Sequence, residues 1–125
     1  MINIRGTNDK INDDIFYRYK MHKPKLIEQK NNKIFDNINL ILKDINREEN
    51  LLIKFIKSKM GINVISKNNK IILPKHIMLN QIIQCLYEFI EIYVLCPKCK
   101  LPETNLIDNN LQCKCCSYNG KLNIQ

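Results

Sequence analysis

Apolar residues in this chain fall into short runs that switch between a period of two and a period of three to four. Residues 1–14 are polar and without period, which predicts a mobile tail. In "KLIEQKNNKIFDNI", Lys25 to Ile38, apolar stretches flank Lys30-Asn31-Asn32-Lys33, predicting strand, tight turn and strand, with the asparagines at positive φ. Ile38, Ile41, Leu42 and Ile45 then recur at helical spacing behind the cap candidates Asp36 and Asn37. A second helix is expected from a cap at Asn50, with Leu52, Phe55, Ile56 and Met60 on one face and Gly61 ending it. "NVISKNNKIIL" repeats the strand–KNNK–strand pattern, which we read as a shared turn solution. After Pro74 comes the strongest helix: Leu79, Ile82, Ile83, Leu86, Phe89, Ile90 and Tyr93 form one broad apolar face, with Cys85 on the same side as a core residue. His22 and His76 have no partner at suggestive spacing and read as surface histidines.

From Cys96 the pattern breaks. "CPKCKLPETNLIDNNLQCKCCSYNGKL" carries Cys96-x2-Cys99, thirteen intervening residues, then Cys113-x2-Cys116. Two knuckles joined by a short hairpin bring four thiolates around one tetrahedral ion, so a structural zinc is predicted, its coordination complete and without an open catalytic position. Asp108-Asn109-Asn110 falls where the hairpin must turn. A segment this short and polar could hardly fold without the metal. Cys115 offers a rival Cys113-x-Cys115 pairing; the two-residue spacing of the first knuckle favours Cys116, leaving Cys115 to point away as a thiol.

Composition changes the weight given to charge. The chain has 125 residues and a net charge of +8, which points to an anionic partner. Ile, Asn and Lys supply 22, 18 and 17 of those residues, a bias expected of an AT-rich coding sequence, so part of the lysine excess is drift on solvated faces. Arginine is correspondingly informative, and there are three: Arg5, Arg18 and Arg47. Arg18 sits in "IFYRYKM" between Tyr17 and Tyr19. The residues alone leave three readings open: an edge strand with Arg18 solvated, an aromatic–basic stretch that stacks on single-stranded RNA, or a guanidinium delivered to a phosphoryl group. If the stretch docks extended, Phe16, Arg18 and Lys20 share one side, and Tyr17, Tyr19 and Met21 the other. The chain has no GxxxxGK[ST] loop and no evident Ser/His/Asp or Cys/His set, so a self-contained GTPase or hydrolase is not expected. No apolar run reaches eighteen residues and the N-terminus is polar, from which a soluble, cytoplasmic protein without a membrane partner is expected.

The string "YVLCPKCKLPETNLI", Tyr93 to Ile107, closely resembles the start of the zinc ribbon in translation initiation factor 5 and in the beta subunit of translation initiation factor 2. The resemblance runs from about Asp14 to Leu122 and implies a small α/β domain followed by a C4 ribbon. "FYRYKM" followed by Pro-Lys-Leu, and "CSYNG" at the second knuckle, resemble the factor 5 branch. That resemblance implies that Arg18 activates, in trans, the GTPase gamma subunit of initiation factor 2 on the small ribosomal subunit, and that Lys54 matches a family lysine implicated in function, with Lys33 near another. Three departures stand out. His22-Lys23 are inserted before Pro24, lengthening the lead from Arg18 to the domain; Asn119 replaces a basic residue; and a factor without the C-terminal helical-repeat domain of factor 5 is expected.

These readings combine into an α+β protein with a tail over residues 1–20, an α/β domain over 21–94 and a C4 zinc ribbon over 95–125. The expected function is GTPase stimulation through Arg18, with Tyr17, Tyr19, Lys20 and Lys54 meeting the partner and Lys98, Lys100, Lys114 and Lys121 meeting RNA. The alternative is a non-catalytic module resembling the beta subunit, binding rRNA or steadying initiator tRNA, or competing with the host factor.

Overall fold

The computed structural model describes residues 2–4 and 20–122. Strand β1 (Ile2–Asn3) pairs antiparallel with β2 (Lys20–Met21), Ile2 opposite Met21. Then come β3 (Leu26–Glu28), β4 (Asn32–Phe35), helices α1 (Ile38–Ile45) and α2 (Glu49–Met60), β5 (Ile65–Lys67), β6 (Lys70–Pro74) and α3 (Leu79–Tyr93). A three-stranded ribbon follows: β7 (Thr104–Ile107), β8 (Asn110–Cys113) and β9 (Asn119–Lys121). The main sheet is antiparallel in the order β3-β4-β6-β5, and the ribbon runs β7-β8-β9. The architecture is the expected α+β fold.

Alternation explains the sheet's two faces. Phe35, Ile71 and Leu73 are buried, and they join the helix residues Ile38, Ile41, Ile45, Leu52, Ile56, Ile82, Leu86, Phe89 and Ile90 in one core. The four apolar positions of α1 are all buried, as their spacing demands. On α2, Ile53 is buried and Phe55 only half so, but the Phe55 ring meets Phe89 and Tyr93 edge-on, at centroid distances of 5.5 and 5.9 Å. Gly61 ends α2 at φ 63°, its N–H reaching the Lys57 carbonyl, and Cys85 is buried as expected.

Several expectations need correction. Residues 2–4, expected in the mobile tail, belong to the fold: β1 pairs with β2 and Ile4 is buried, because Ile2 and Ile4 supply apolar side chains that Met21 and the core can cover. The two KNNK turns differ. Asn68 and Asn69 take φ of 52° and 62° between paired Lys67 and Lys70, the mirror-image turn that suits a tight hairpin. Between Glu28 and Lys33 four residues form the loop, closed by Gln29 N–H to the Asn32 carbonyl at 2.9 Å, and its asparagines avoid positive φ. Asn37 stands at the start of α1 but does not cap it. Its Oδ1 accepts the Lys25 N–H and its Nδ2 donates to the Lys23 carbonyl, both at 2.9 Å, clamping the incoming chain. Asn50 likewise lies inside α2, whose cap position is Glu48. No helix is long and apolar enough to cross a membrane, among the described residues.

Candidate metal centre and its junction with the domain

The ribbon's two knuckles close around a single point. Sγ atoms of Cys96, Cys99, Cys113 and Cys116 all lie within 4.8 Å of one another, with Cys96–Cys116 and Cys99–Cys113 at 3.5 Å. A tetrahedral ion with metal–sulfur bonds of about 2.3 Å requires sulfur separations of about 3.8 Å, so the four fit zinc. Backbone donors support the sulfurs, Lys98 N–H to Cys96 and Cys115 N–H to Cys113, each at 3.4 Å. The knuckle turns are tight: Lys100 adopts φ 62° and donates to the Cys96 carbonyl at 2.8 Å, and Ser117 adopts φ 62°. Asp108 and Asn109, at φ 49° and 66°, form the hairpin tip where it was expected.

The donor set has the chemistry of a cation site. Burial and hydrogen bonds from the other thiols push Cys99 up to about 12; Cys113, raised by burial but lowered further by backbone donors, falls to about 7. Thiols so close cannot all ionise unaided, and a divalent cation resolves that conflict. When bound, zinc supplies cross-linking rather than catalysis, since four cysteines fill its coordination. Cys115 stays outside the cluster. It is exposed, and its Sγ lies 3.4 Å from Glu103 Oε2.

A residue without an assigned role in the sequence reading holds the ribbon to the domain. Arg47, between α1 and α2, is 9% exposed. Its Nε donates to the Tyr93 carbonyl at 2.9 Å; one terminal nitrogen donates to the carbonyls of Asn46 (2.6 Å) and Thr104 (3.1 Å), and the other to Thr104 Oγ1 at 2.6 Å. The Thr104 hydroxyl passes the chain on to the Val94 carbonyl. Asn46, left-handed at the end of α1, adds bonds to the Thr104 carbonyl and the Asn105 amide. Burial lowers the Arg47 pKa to about 10. The scarcity of arginine that singled out Arg18 applies equally to Arg47, and that was the signal available.

The other expected site residues are dispersed. Lys54 is exposed on α2, and Lys98, Lys100 and Lys114 are exposed around the knuckles. Lys121 stands at the other end of the ribbon, opposite Asn110. Lys33 is buried, its ammonium donating to the Ile77 carbonyl at 2.6 Å and lying 3.3 Å from Glu28, so it fastens β4 to the approach to α3. Tyr17, Arg18 and Tyr19 lie outside the described residues. Lys20 is exposed on β2, whereas its neighbour Met21 is fully buried. His22 is no idle surface histidine: its N–H and Nδ1 both meet Asp44 Oδ2, at 2.7 and 2.6 Å. The inserted His22-Lys23 pair therefore does not lengthen a loose lead. It is pinned to α1 by Asp44 and Asn37.

A family model for the domain found in initiation factors 2B and 5 matches residues 8–119. The chain is 31% identical over 101 residues to translation initiation factor 2 subunit beta of Nanoarchaeum equitans, covering 77% of this chain and 73% of that protein. To the same subunit of Thermoplasma volcanium it is 28% identical over 103 residues, covering 79% of this chain and 50% of that protein. To eukaryotic translation initiation factor 5 of Drosophila melanogaster it is 32% identical over 125 residues, which cover 89% of this chain and 26% of that protein. The chain thus spans most of one archaeal subunit, half of another, and about a quarter of factor 5.

Proposed function

Because the chain belongs to the family of translation initiation factor domains shared by factor 5 and the beta subunit of factor 2, we propose that it acts in the initiation complex and supplies Arg18 in trans to the GTPase of initiation factor 2. The observation that carries this reading is the anchoring of β2. Met21 is fully buried and His22 is tied to Asp44, so the chain is held in the fold from β2 onwards. Arg18 is two residues away, at most about 7 Å along an extended chain. A guanidinium on so short a lead loses little entropy on docking, and its fork can meet two oxygens of a transferring phosphoryl group, where lysine offers a point charge. An in-trans arginine is worth roughly 10³–10⁵ in rate for such enzymes. The chain is then an activator without catalytic chemistry of its own, working in the cytoplasm beside the small ribosomal subunit.

The second reading is a non-catalytic module like the beta subunit, touching rRNA or initiator tRNA. The exposed lysines grouped at the knuckles, Lys98, Lys100 and Lys114, favour it. Single-turnover GTP hydrolysis on initiation complexes separates the two. Arg18→Lys is expected to preserve folding, zinc content and complex binding while removing most of the stimulation, because an interaction made mainly in the transition state affects rate and not ground-state affinity. Equal stimulation by the variant refutes the finger; no stimulation by the parent, with salt-sensitive binding retained, supports the module.

A further inference from the structure

The outer face of the main sheet carries a row that none of the described helices covers. The strand register sets Ile27 opposite Ile34, Ile34 opposite Ile72, and Ile72 opposite Ile65, so one isoleucine from each of the four strands lies on a single line across the sheet. Side chains directly opposite in an antiparallel pair share a face. The inner face is the one bearing Phe35, Ile71 and Leu73, and none of the four isoleucines belongs to the core or packs against it. Ile65 is 60% exposed and Ile27 38%, at the two edges, and Ile34 and Ile72 between them are half-buried. A solvent-facing β-branched residue is ordinary singly, but a continuous aliphatic row with exposed ends across a whole sheet is not.

A charged row runs beside it. Two residues along each strand on the same face stand Lys25, Asp36, Lys70 and Lys67. Asp36 N–H donates to the Lys25 carbonyl, Lys70 lies 2.8 Å from Asp36, and Lys67 pairs with Lys70. The other flank, Asn32 and Pro74, is uncharged. An aliphatic strip with three lysines against one aspartate on one side is complementary to a segment that is apolar on one face and acidic on the adjoining one.

We infer that the Ile27–Ile34–Ile72–Ile65 row is a docking site for an acidic amphipathic helix of a partner protein. Three strand spacings make the row about 14 Å long, the rise of nine or ten helical residues, which present three apolar side chains at i, i+3 or i+4, and i+7. The row has no aromatic ring, so it offers no stacking platform for nucleic-acid bases. A strip this long under a helix about 10 Å wide covers a few hundred Å², far below the roughly 1,200 Å² at which stable complexes begin. That size disfavours a homodimer and fits a transient contact. The site is independent of Arg18 and of the ribbon.

The test uses the full chain and a synthetic eighteen-residue helical peptide with leucines at i, i+4, i+7 and i+11 and glutamates along one flank. Amide chemical-shift mapping and fluorescence anisotropy should show saturable binding, on the order of tens of micromolar for so small an interface, with shifts centred on β4 and β6. Ile65→Ser, a change at the most exposed position, should weaken binding severalfold without moving the melting temperature or zinc content, and Ile72→Ser more. Lys67→Glu with Lys70→Glu should weaken the acidic peptide and admit one with lysines in place of glutamates. The inference is overturned if the two peptides bind alike, if shifts map elsewhere, if a single-stranded oligonucleotide perturbs the same amides, or if Ile65→Ser instead abolishes self-association of the chain.

Discussion

Replacing Arg47 with methionine keeps much of its volume and removes the fork that joins ribbon to domain. The buried Tyr93 carbonyl and the part-buried Asn46 carbonyl lose their side-chain donor, while the Thr104 carbonyl keeps that of Asn46. An acceptor left without a partner costs about 1–3 kcal/mol, so the loss is about 2–6 kcal/mol. Against it stands the relief of no longer burying a cation. Lowering the guanidinium pKa from 12.5 to about 10 corresponds to about 3 kcal/mol, at about 1.4 kcal/mol per unit. A net destabilisation of about 1 kcal/mol follows from the middle of the range, enough to move the melting temperature down by about 4 °C for a chain of this size. The assay is urea and thermal unfolding, followed by far-UV circular dichroism for the helices and by zinc release to a chromogenic chelator for the ribbon. The parent should lose both signals together, because Thr104 is held by a residue of the α1–α2 corner. In Arg47→Met the zinc signal should separate from the helical one. A variant that unfolds at the parent's midpoint, with both signals still coincident, refutes the view that Arg47 couples the two parts.

Cys116→Ser should lose zinc and Cys115→Ser should keep it, by metal analysis of the purified proteins; the reverse result would reassign the fourth ligand. Hydrogen bonds and charge from Lys33 and Lys75 hold the Glu28 carboxyl below its ordinary 4.5. A carboxyl lowered in the fold adds stability above its unfolded pKa and loses it as pH falls through the folded one. The parent should therefore exceed Glu28→Gln in urea midpoint at pH 6, the gap closing towards pH 3; a gap constant with pH would mean the ion pairs contribute nothing. Binding to RNA or ribosomes should weaken with salt, and neutralising Lys98, Lys100 and Lys114 should flatten that slope by roughly 0.7–0.9 for each phosphate no longer neutralised, with Lys121 alone contributing less. An unchanged slope would show these lysines to be merely solvated.

The helices and the metal site were legible because each rests on short-range pattern. Four isoleucine and leucine positions at helical spacing suffice for α1, and two Cys-x-x-Cys pairs suffice for the knuckles. What escaped depends on closure of the chain in space. Arg47 has ordinary neighbours in sequence, and its partners lie up to 57 residues away. His22 finds Asp44 only once β2 and α1 are packed. The two KNNK segments show the limit of local pattern most directly. Identical tetrapeptides turn differently because the register of the flanking strands, set by which side chains face the core, decides how many residues the loop must contain.

The left-handed asparagines have a consequence beyond the turns they form. Of the described residues with positive φ, Gly61 is the one glycine, while Asn46, Asn68, Asn69 and Asn109 take positions that proteins commonly give to glycine. Asparagine tolerates that conformation at modest strain. In the denatured chain it also samples fewer backbone states than glycine, so less disorder is surrendered on folding. A nucleotide bias that fills a protein with asparagine thus need not loosen it. Here four of the eighteen asparagines occupy corners of the fold, where a restricted unfolded ensemble helps offset the small core of a 125-residue chain.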